Sequence, residues 1–298
     1  MRISTFIAFL LLSIASRQSA AQASPARANP QQSLLSRQYR EGESLAYHMK
    51  ATNQGRSGTI RYEADARGTV KKNAAGFVEE YAWSNLNFNG QVVRLAGDFR
   101  QPLSLDPNAP PGLPDFSHIN PMLIGPVADM LNFYVDEWMA IKQGLHKRGD
   151  HVYVKHGGPN SWADGVQTTL GQDSIDFDIT LSDVDESGHT AKVVVRHVPP
   201  EKPKIQTPVK WMEAPVADTP NNWVEVSKTN DKKYLAEIGK EIIDVKLAVS
   251  LADGKILSAT MDNPVVVMAR SCTDAQLTQC GEPEHYQIRR QVEIKLLQ

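Results

Sequence analysis

Apolar and polar residues alternate one by one along much of this chain, and this alternation limits the possible fold more than any other sequence feature. Between Ile60 and Val70, for example, the even-numbered residues are apolar or small and the odd-numbered residues are polar. A period of two predicts a β-strand with one face in water. Further strands of this kind are predicted around residues 45–51, 175–181, 243–251 and 286–296. Such a sheet must bury its apolar face against another layer.

Two details of these strands carry further expectations. The small residues Ala64, Ala66 and Gly68 indicate that a bulky group approaches the inner face of their strand. Arg290 interrupts the apolar face of the last strand.

The turn around Gly254 sets the register of a hairpin. A three-residue loop keeps apolar residues on one face, whereas a two-residue loop would pair apolar residues with polar ones. The predicted cross-strand pairs are Val249–Leu257, Leu247–Ala259 and Val245–Met261.

One stretch, residues 125–144, has the periodicity of a helix. Its apolar residues form one stripe with a period of about 3.6 residues, and further apolar residues widen that face. Pro126 suits the first turn, and Gly144 can close the helix in the left-handed conformation. We expect this helix either to fill the core or to cover a hydrophobic cavity as a lid. The stripe consists of Val127, Met130, Leu131, Tyr134, Trp138 and Ile141.

Together these patterns predict a mostly β fold with one principal helix, of the α+β class. The expected architecture is a large curved antiparallel sheet or half-barrel of about ten strands, wrapped around a helix near residues 126–143. The proline-rich connections at 102–126 and 199–220 contain large apolar residues, so neither is predicted to be a domain linker. The predicted organisation is a signal peptide at 1–23, a flexible leader at 24–42 and a single β-rich domain at 43–298.

The first residues have the composition of a secretory signal peptide. Arg2 precedes an apolar run, and Ala21-Gln22-Ala23 matches an A-x-A cleavage site. The apolar run is too short to span a membrane and no other stretch is longer, so no transmembrane segment is predicted in the mature chain. We expect an exported protein, periplasmic or extracellular.

The chain has two cysteines, Cys272 and Cys280. Export places them in an oxidising compartment, so we expect a disulfide that closes a small loop. A pair of reactive thiols is the alternative, but the spacing is not that of a C-x-x-C motif.

Several classes of partner and cofactor are not expected. The formal net charge is −2, and the basic residues are scattered among acidic ones, so we predict no nucleic-acid binding. The histidines between residues 146 and 156 lack metal-ligand spacing, and residues 183–188 match only the first half of a calcium loop, so no metal site is predicted. No phosphate-binding loop is present, and no cofactor is expected.

No catalytic motif is recognisable in the sequence. It contains neither G-x-S-x-G nor S-x-x-K. Asp176 and Asp178 share a strand face with Ser174 and Thr180, which is typical of the wet side of a sheet and not of a catalytic pair. We expect a protein without enzymatic activity, and an exported hydrolase with an unrecognised site is an alternative.

Two places are candidates for ligand contact. The loop at 156–165 combines glycine, proline and polar residues with Trp162 and Asp164, which could recognise a ligand; a tight turn with Trp162 in the core is the alternative. On the helix, Tyr134 and Trp138 are the candidates.

The predicted function is an exported, non-enzymatic binding protein of the cell envelope that holds a lipid or another hydrophobic ligand between sheet and helix. In architecture, a curved sheet enclosing a helix is similar to the periplasmic lipoprotein carriers, whose half-barrel holds acyl chains, and that resemblance implies an apolar ligand. The alternative is a structural or protein-interaction module with a solid core and an envelope protein as partner. A pocket of ligand size between sheet and helix would decide between them.

Overall fold

A computed structural model of the chain describes residues 33–297, except for residues 75, 96, 98, 109, 113, 115, 117–118, 163–167 and 230. The predicted signal peptide and residues 24–32 of the predicted leader lie outside this part of the chain. The described residues are mostly β-strand, with a single α-helix, α1, at Ile124–Lys142. The strands are β1 (Ser44–Gly55), β2 (Gly58–Asn73), β3 (Gly76–Phe88), β4 (Gln91–Val92), β5 (Arg100–Leu103), β6 (His151–Val154), β7 (Asn160–Trp162), β8 (Thr168–Asp173), β9 (Asp176–Asp185), β10 (Thr190–Val198), β11 (Trp223–Lys228), β12 (Tyr234–Glu241), β13 (Ile243–Ser250), β14 (Ile256–Cys272) and β15 (Glu284–Leu296).

The strands form one large antiparallel sheet that divides into two branches at β14. The trunk of the sheet runs β14, β15, β1, β2, β3, with β4 and β5 beside β3. Residues 256–262 of β14 pair with β13, which leads to β10, β9 and β6; these four strands are the first branch. Residues 265–272 pair with β12, which leads to β11, β8 and β7; these four are the second branch. The fork between the branches therefore lies at Asn263 and Pro264.

The described residues contain 15 strands, more than the ten or so expected from the sequence. Strands β11 and β12 are among those that the alternation did not predict. Both of their faces are buried, because the proline-rich segment and the disulfide loop cover the outer face with residues such as Met212 and Leu277. Strands buried on both faces lose the polar–apolar alternation, so their sequence carries little signal.

The helix is close to its predicted position. A 3-10 turn at Pro121–Leu123 precedes it, so Pro126 lies in the first turn of the helix, where backbone N–H groups have no partner within the helix. Gly144 follows with a φ of +66°, as expected for a closing glycine. Nearly all residues of α1 are buried, so this helix is covered on more than one side.

Most of the register predictions for the hairpin are confirmed. Leu247 lies opposite Ala259 and Val245 opposite Met261, as predicted. The third pair is wrong: Val249 lies opposite Ile256, because the register shifts between Ala248 and Val249.

The bulky group predicted beside the small residues of β2 is the ring of Tyr81 on β3. A Cβ atom on Gly68 would lie 2.5 Å from the Cε1 atom of Tyr81. The Tyr81 ring fits at this position only because Gly68 has no side chain.

The predicted disulfide between Cys272 and Cys280 is confirmed. It closes a loop of sequence separation 8, and Leu277 of that loop is buried against β11 and β12. Within the described part of the chain, no helix is long and apolar enough to cross a membrane.

Residues 33–42, the described part of the predicted leader, contact the domain. Leu35 is fully buried, and the backbone N–H of Gln38 donates to the carbonyl of Asp253 at 2.8 Å. The flexibility predicted for residues 24–42 stays a prediction. A substitution at Gly254 tests the contact, since a Cβ there would lie 2.6 Å from the carbonyl oxygen of Ser36.

We expect Gly254→Ala to lower the free energy of unfolding by about 2–4 kcal/mol, from left-handed strain plus overpacking. The matched control is Gly149→Ala, which also has a positive φ, of +87°, but has no atom within 4 Å of its Cβ position. The control should lose only about 1–2 kcal/mol. Equal losses in urea titrations of the two variants would show that residues 36–37 do not press on the turn.

Candidate functional site

The interior of the protein holds polar side chains from the helix, each directed at a different part of the sheet. Tyr134 illustrates the arrangement: its hydroxyl donates to Glu79, and it lies 2.6 Å from the hydroxyl of Tyr81. Arg37 completes the cluster by donating from Nε to Glu79 at 2.8 Å. Tyr134, predicted as a ligand contact, is thus bonded to β3.

Asp129 forms the second of these contacts. Arg290 on β15 and Tyr62 on β2 both donate to its carboxylate, and all three side chains are buried. The interruption of the apolar face at Arg290 therefore has a structural cause. Arg290 supplies the cation that the buried carboxylate of Asp129 requires.

Asp136 forms the third contact, with the first branch. His197 on β10 lies 2.7 Å from Asp136 through Nε2, and Phe177 packs against the imidazole ring. His197 Nδ1 and Asp136 Oδ2 have no hydrogen-bond partner among the described residues.

The four residues predicted to touch a ligand do not form one site. Trp138 donates from Nε1 to the carbonyl of Asp106 at 2.7 Å, and the ammonium of Lys142 lies 4.6 Å from its ring centroid. Trp162 lies on the second branch, in a cluster separate from the main core. Asp164 lies outside the described residues. The ligand-binding role of all four stays a prediction.

The second branch presents an aromatic and acidic face on the same side of the sheet as α1. On β14, the odd-numbered residues Val265, Val267 and Ala269 are on the same face as Ala259 and Met261. Those two residues belong to the core that contains α1. The strand pairings carry that side across the branch. On it lie Asn160, Trp162, Asp173, Trp223, Glu225, Glu237 and Glu241, all buried.

Two indoles occupy the centre of this face. The rings of Trp162 and Trp223 are stacked, with centroids 6.3 Å apart. Gly171 and Gly239 make room for them, since Cβ atoms there would lie 2.7 Å from the Trp162 ring and 3.2 Å from the Trp223 ring. Trp162 is therefore in the core of the second branch, but its Nε1 has no partner among the described residues.

The fork is held together by Asn222. Its side chain donates to the carbonyls of Ser174 and Glu241, both at 3.2 Å, and accepts from the Glu241 backbone at 2.7 Å. This amide links the end of β8 to the end of β12. The side chains of Asp173 and Glu241 both lie on the helix side, close enough that, in addition to burial, the charge of Glu241 raises the pKa of Asp173.

Three oxygen atoms at the fork are buried and make no hydrogen bond of ordinary length to the described residues. Asn160 donates to one oxygen of Asp173 at 2.7 Å, which leaves Asp173 Oδ2 unbonded. Asn160 Oδ1 makes no hydrogen bond of ordinary length, but the Asn160 amide lies beside the imidazole of His156 and partly offsets the lowering of the His156 pKa by burial. Asn263 donates to one oxygen of Glu241 at 3.0 Å, which leaves Glu241 Oε2 unbonded. Unpaired buried acceptors are rare in proteins and call for a ligand, an ion or water.

The carboxyl groups of this region are hard to ionise. Burial raises the pKa of Glu237 to about 8 and that of Glu241 to about 7. Burial, together with the charge of Glu241, raises the pKa of Asp173 well above its usual range. On the helix, burial and the charge of Glu79 raise the pKa of Glu137 in the same way.

Sequence reasoning missed the acidic residues of this face. Glu225, Glu237 and Glu241 lie in the two strands that the alternation did not reveal, and charged residues in strands ordinarily indicate the solvent side. A signal was available: Glu237 has apolar neighbours on both sides, Leu235 and Ala236 before it and Ile238 after it. Only the strand pairings place the acids together.

The outer face of the sheet holds an open groove of about 760 Å³. Its lining is charged, and the charges are paired, as between Arg196 and Asp244 at 2.7 Å and between Arg289 and Asp262 at 2.8 Å. Asp178, predicted on this wet face, pairs there with His151. Asp176 is more buried than a wet face implies, since it accepts from the Tyr153 hydroxyl and from the His156 backbone.

No protein-family model matches this sequence, and no curated protein matches it. Among the described residues, no group of three or more His, Cys, Asp or Glu side chains is placed to hold a metal ion.

Stability should fall as the pH rises from about 5 to about 8. Glu237 and Glu241 keep their protons in the folded protein at pH values where the unfolded chain has lost them, so their contribution is complete below pH about 4.5 and is lost as the pH passes their folded pKa values. Thermal unfolding across this range should show a falling midpoint, and a smaller fall for Glu237→Gln. A flat profile in the wild-type protein would contradict the burial of these acids.

Arg290→Met should lower the free energy of unfolding by about 3–5 kcal/mol, because it leaves Asp129 buried without its cation. The double variant with Asp129→Leu should lose less than the sum of the single losses. Arg289→Met is the matched control: its pair with Asp262 is exposed, so it should cost less than about 1 kcal/mol. Additive losses in urea titrations would show that the two side chains do not interact.

Proposed function

We propose that this chain is an exported, non-enzymatic binding protein of the cell envelope, with its ligand site on the helix-side face of the second branch. The observation that carries the proposal is a second apolar and aromatic cluster on that face, with unpaired polar atoms at its border. The cluster consists of Trp162, Trp223, Val265, Val267, Tyr286 and Ile288.

The position of the helix supports this choice. Side-chain hydrogen bonds from α1 reach β2, β3, β10 and β15, and among the described residues none reaches the four strands of the second branch. We propose that the sheet curves around α1 as a half-barrel, since Tyr134 bonds to the trunk while Asp136 bonds to the first branch. The second branch then extends this inner surface beyond the helix.

The chemistry of the cluster favours a hydrophobic ligand with a polar end. Paired indoles and aliphatic side chains suit a lipid-like or other apolar body, and a few convergent polar groups fix its orientation. The region around Tyr134 and Trp138 is a weaker candidate, because their polar atoms already have protein partners.

The disulfide and the A-x-A motif support export. Disulfides persist in oxidising compartments outside the cytoplasm, and Cys272 is bonded to Cys280.

A structural or protein-interaction module with a solid core is the second candidate. The three polar contacts of α1 favour it, because they fix the helix in place and are incompatible with a moving lid. In that case the unpaired atoms at the fork bind water only.

Native mass spectrometry tests the proposal directly. The exported form, incubated with lipid extract, should retain a bound molecule, and Trp162→Ala should lower the bound fraction about tenfold through loss of aromatic contact area. Trp83→Ala is the matched control: Trp83 is a buried tryptophan of the main core on β3, and the variant should keep the wild-type bound fraction. A homogeneous ligand-free mass under all conditions would leave the structural module as the better account.

A further inference from the structure

We infer that the ligand carries a primary ammonium group, which Asn160, Asp173 and Glu241 hold at the fork while its apolar part lies along Trp162 and Trp223. This inference rests on the proposed function, since it names the polar end of the same ligand.

The number and type of unpaired atoms match this group. Asn160 Oδ1, Asp173 Oδ2 and Glu241 Oε2 are all acceptors when the acids are ionised, and all are buried without a hydrogen bond of ordinary length to the described residues. A primary ammonium has three N–H donors and no acceptor. Two of these donors would satisfy the carboxylate oxygens of Asp173 and Glu241, and the third would bind Asn160 Oδ1, which otherwise has only the imidazole of His156 beside its amide.

The charge of the site favours a cation over a neutral group. Among the described residues, no group stabilises the ionised form of Asp173 by its charge, and only the imidazole of His197 does so for Glu241. Two buried carboxylates without a cationic partner are unfavourable, and a bound ammonium would compensate them. A ligand with a carboxylate head would be repelled by the same two groups once they are ionised.

An organic cation fits better than a metal ion. Hard metal ions need several oxygen ligands at about 2.3–2.6 Å, and the described residues include no group of three acidic or histidine side chains so placed. N–H donors reach acceptors at about 2.7–3.2 Å, so an ammonium can bridge groups that a metal cannot. The neighbouring indoles also attract a cation through their ring faces.

The decisive experiment compares three ligands with the same alkyl chain: dodecylamine, dodecanol and dodecanoic acid. We expect calorimetric titration of the exported form to give a Kd for the amine about tenfold or more below that of the alcohol, with the acid weakest. The amine affinity should rise between about pH 6 and about pH 8, because the ammonium favours ionised Glu241. The alcohol affinity should not change over this range.

Charge-neutral variants locate the group. Asp173→Asn and Glu241→Gln should each weaken dodecylamine binding about tenfold and leave dodecanol binding unchanged. Glu137→Gln is the matched control, since Glu137 is a buried carboxyl with two unpaired oxygens on α1, away from the fork. It should bind the amine like the wild type.

Each result decides between the inference and the proposed function. Equal affinity for the amine and the alcohol overturns the ammonium inference and leaves the binding function standing, as does amine binding that survives both fork variants. If none of the three ligands binds, the binding function fails and the inference with it. Should the variants not fold, the ligand series and its pH dependence in the wild-type protein still give the answer.

To separate a free amine from a lipid headgroup, the same titration uses vesicles of phosphatidylethanolamine and of phosphatidylcholine. A quaternary head has no N–H donors and cannot satisfy the three oxygens. If the protein takes up phosphatidylethanolamine but not phosphatidylcholine, the ammonium group of the ligand belongs to a membrane lipid. Binding of dodecylamine with no uptake of either lipid would identify a free amine.

Discussion

Contacts between buried polar groups of α1 and the strands are the interaction on which the rest of this structure depends. A sheet with one apolar face needs a second layer, and a purely apolar helix could slide along it. Asp129, Tyr134 and Asp136 each bond to a different strand, which fixes the helix along its axis and in rotation. Because unpaired buried charges are costly, shifts of the helix that separate these pairs are strongly disfavoured.

The fork of the sheet follows from the length of β14. A strand of 17 residues exceeds what a single neighbour covers, so β13 and β12 share it end to end. Asn222 bridges the gap between the branches with its amide group. At the fork, Asp173 and Glu241 are both buried, and among the described residues only the imidazole of His197 offers a compensating charge, to Glu241. These two buried carboxyl groups make the region a candidate site.

Much of the fold follows from the sequence, and less of the candidate site. The loop before Trp162 could be recognised from its composition, and the structure places Trp162 in the aromatic cluster of the second branch. The acids around it could not be recognised, because Glu225 and Glu237 are distant in sequence and meet only through the pairing of β11 with β12. Periodicity reports whether a residue faces water, and it fails for strands buried on both sides.

The sequence by itself determined the elements and their chemistry: a period of two for the sheet, a period near 3.6 for one helix, and a short cysteine spacing that closes a disulfide loop. These are local properties, set by the geometry of neighbouring residues. Only the tertiary structure decided which polar groups meet. In the sequence, Arg290 only interrupts an apolar pattern; in the fold it is the partner of Asp129, which is distant in the chain. Asp173 and Glu241 look like ordinary strand acids in the sequence, and only the fold buries both of them on the helix side. Burial and pairing depend on contacts between distant segments, and no local period encodes them.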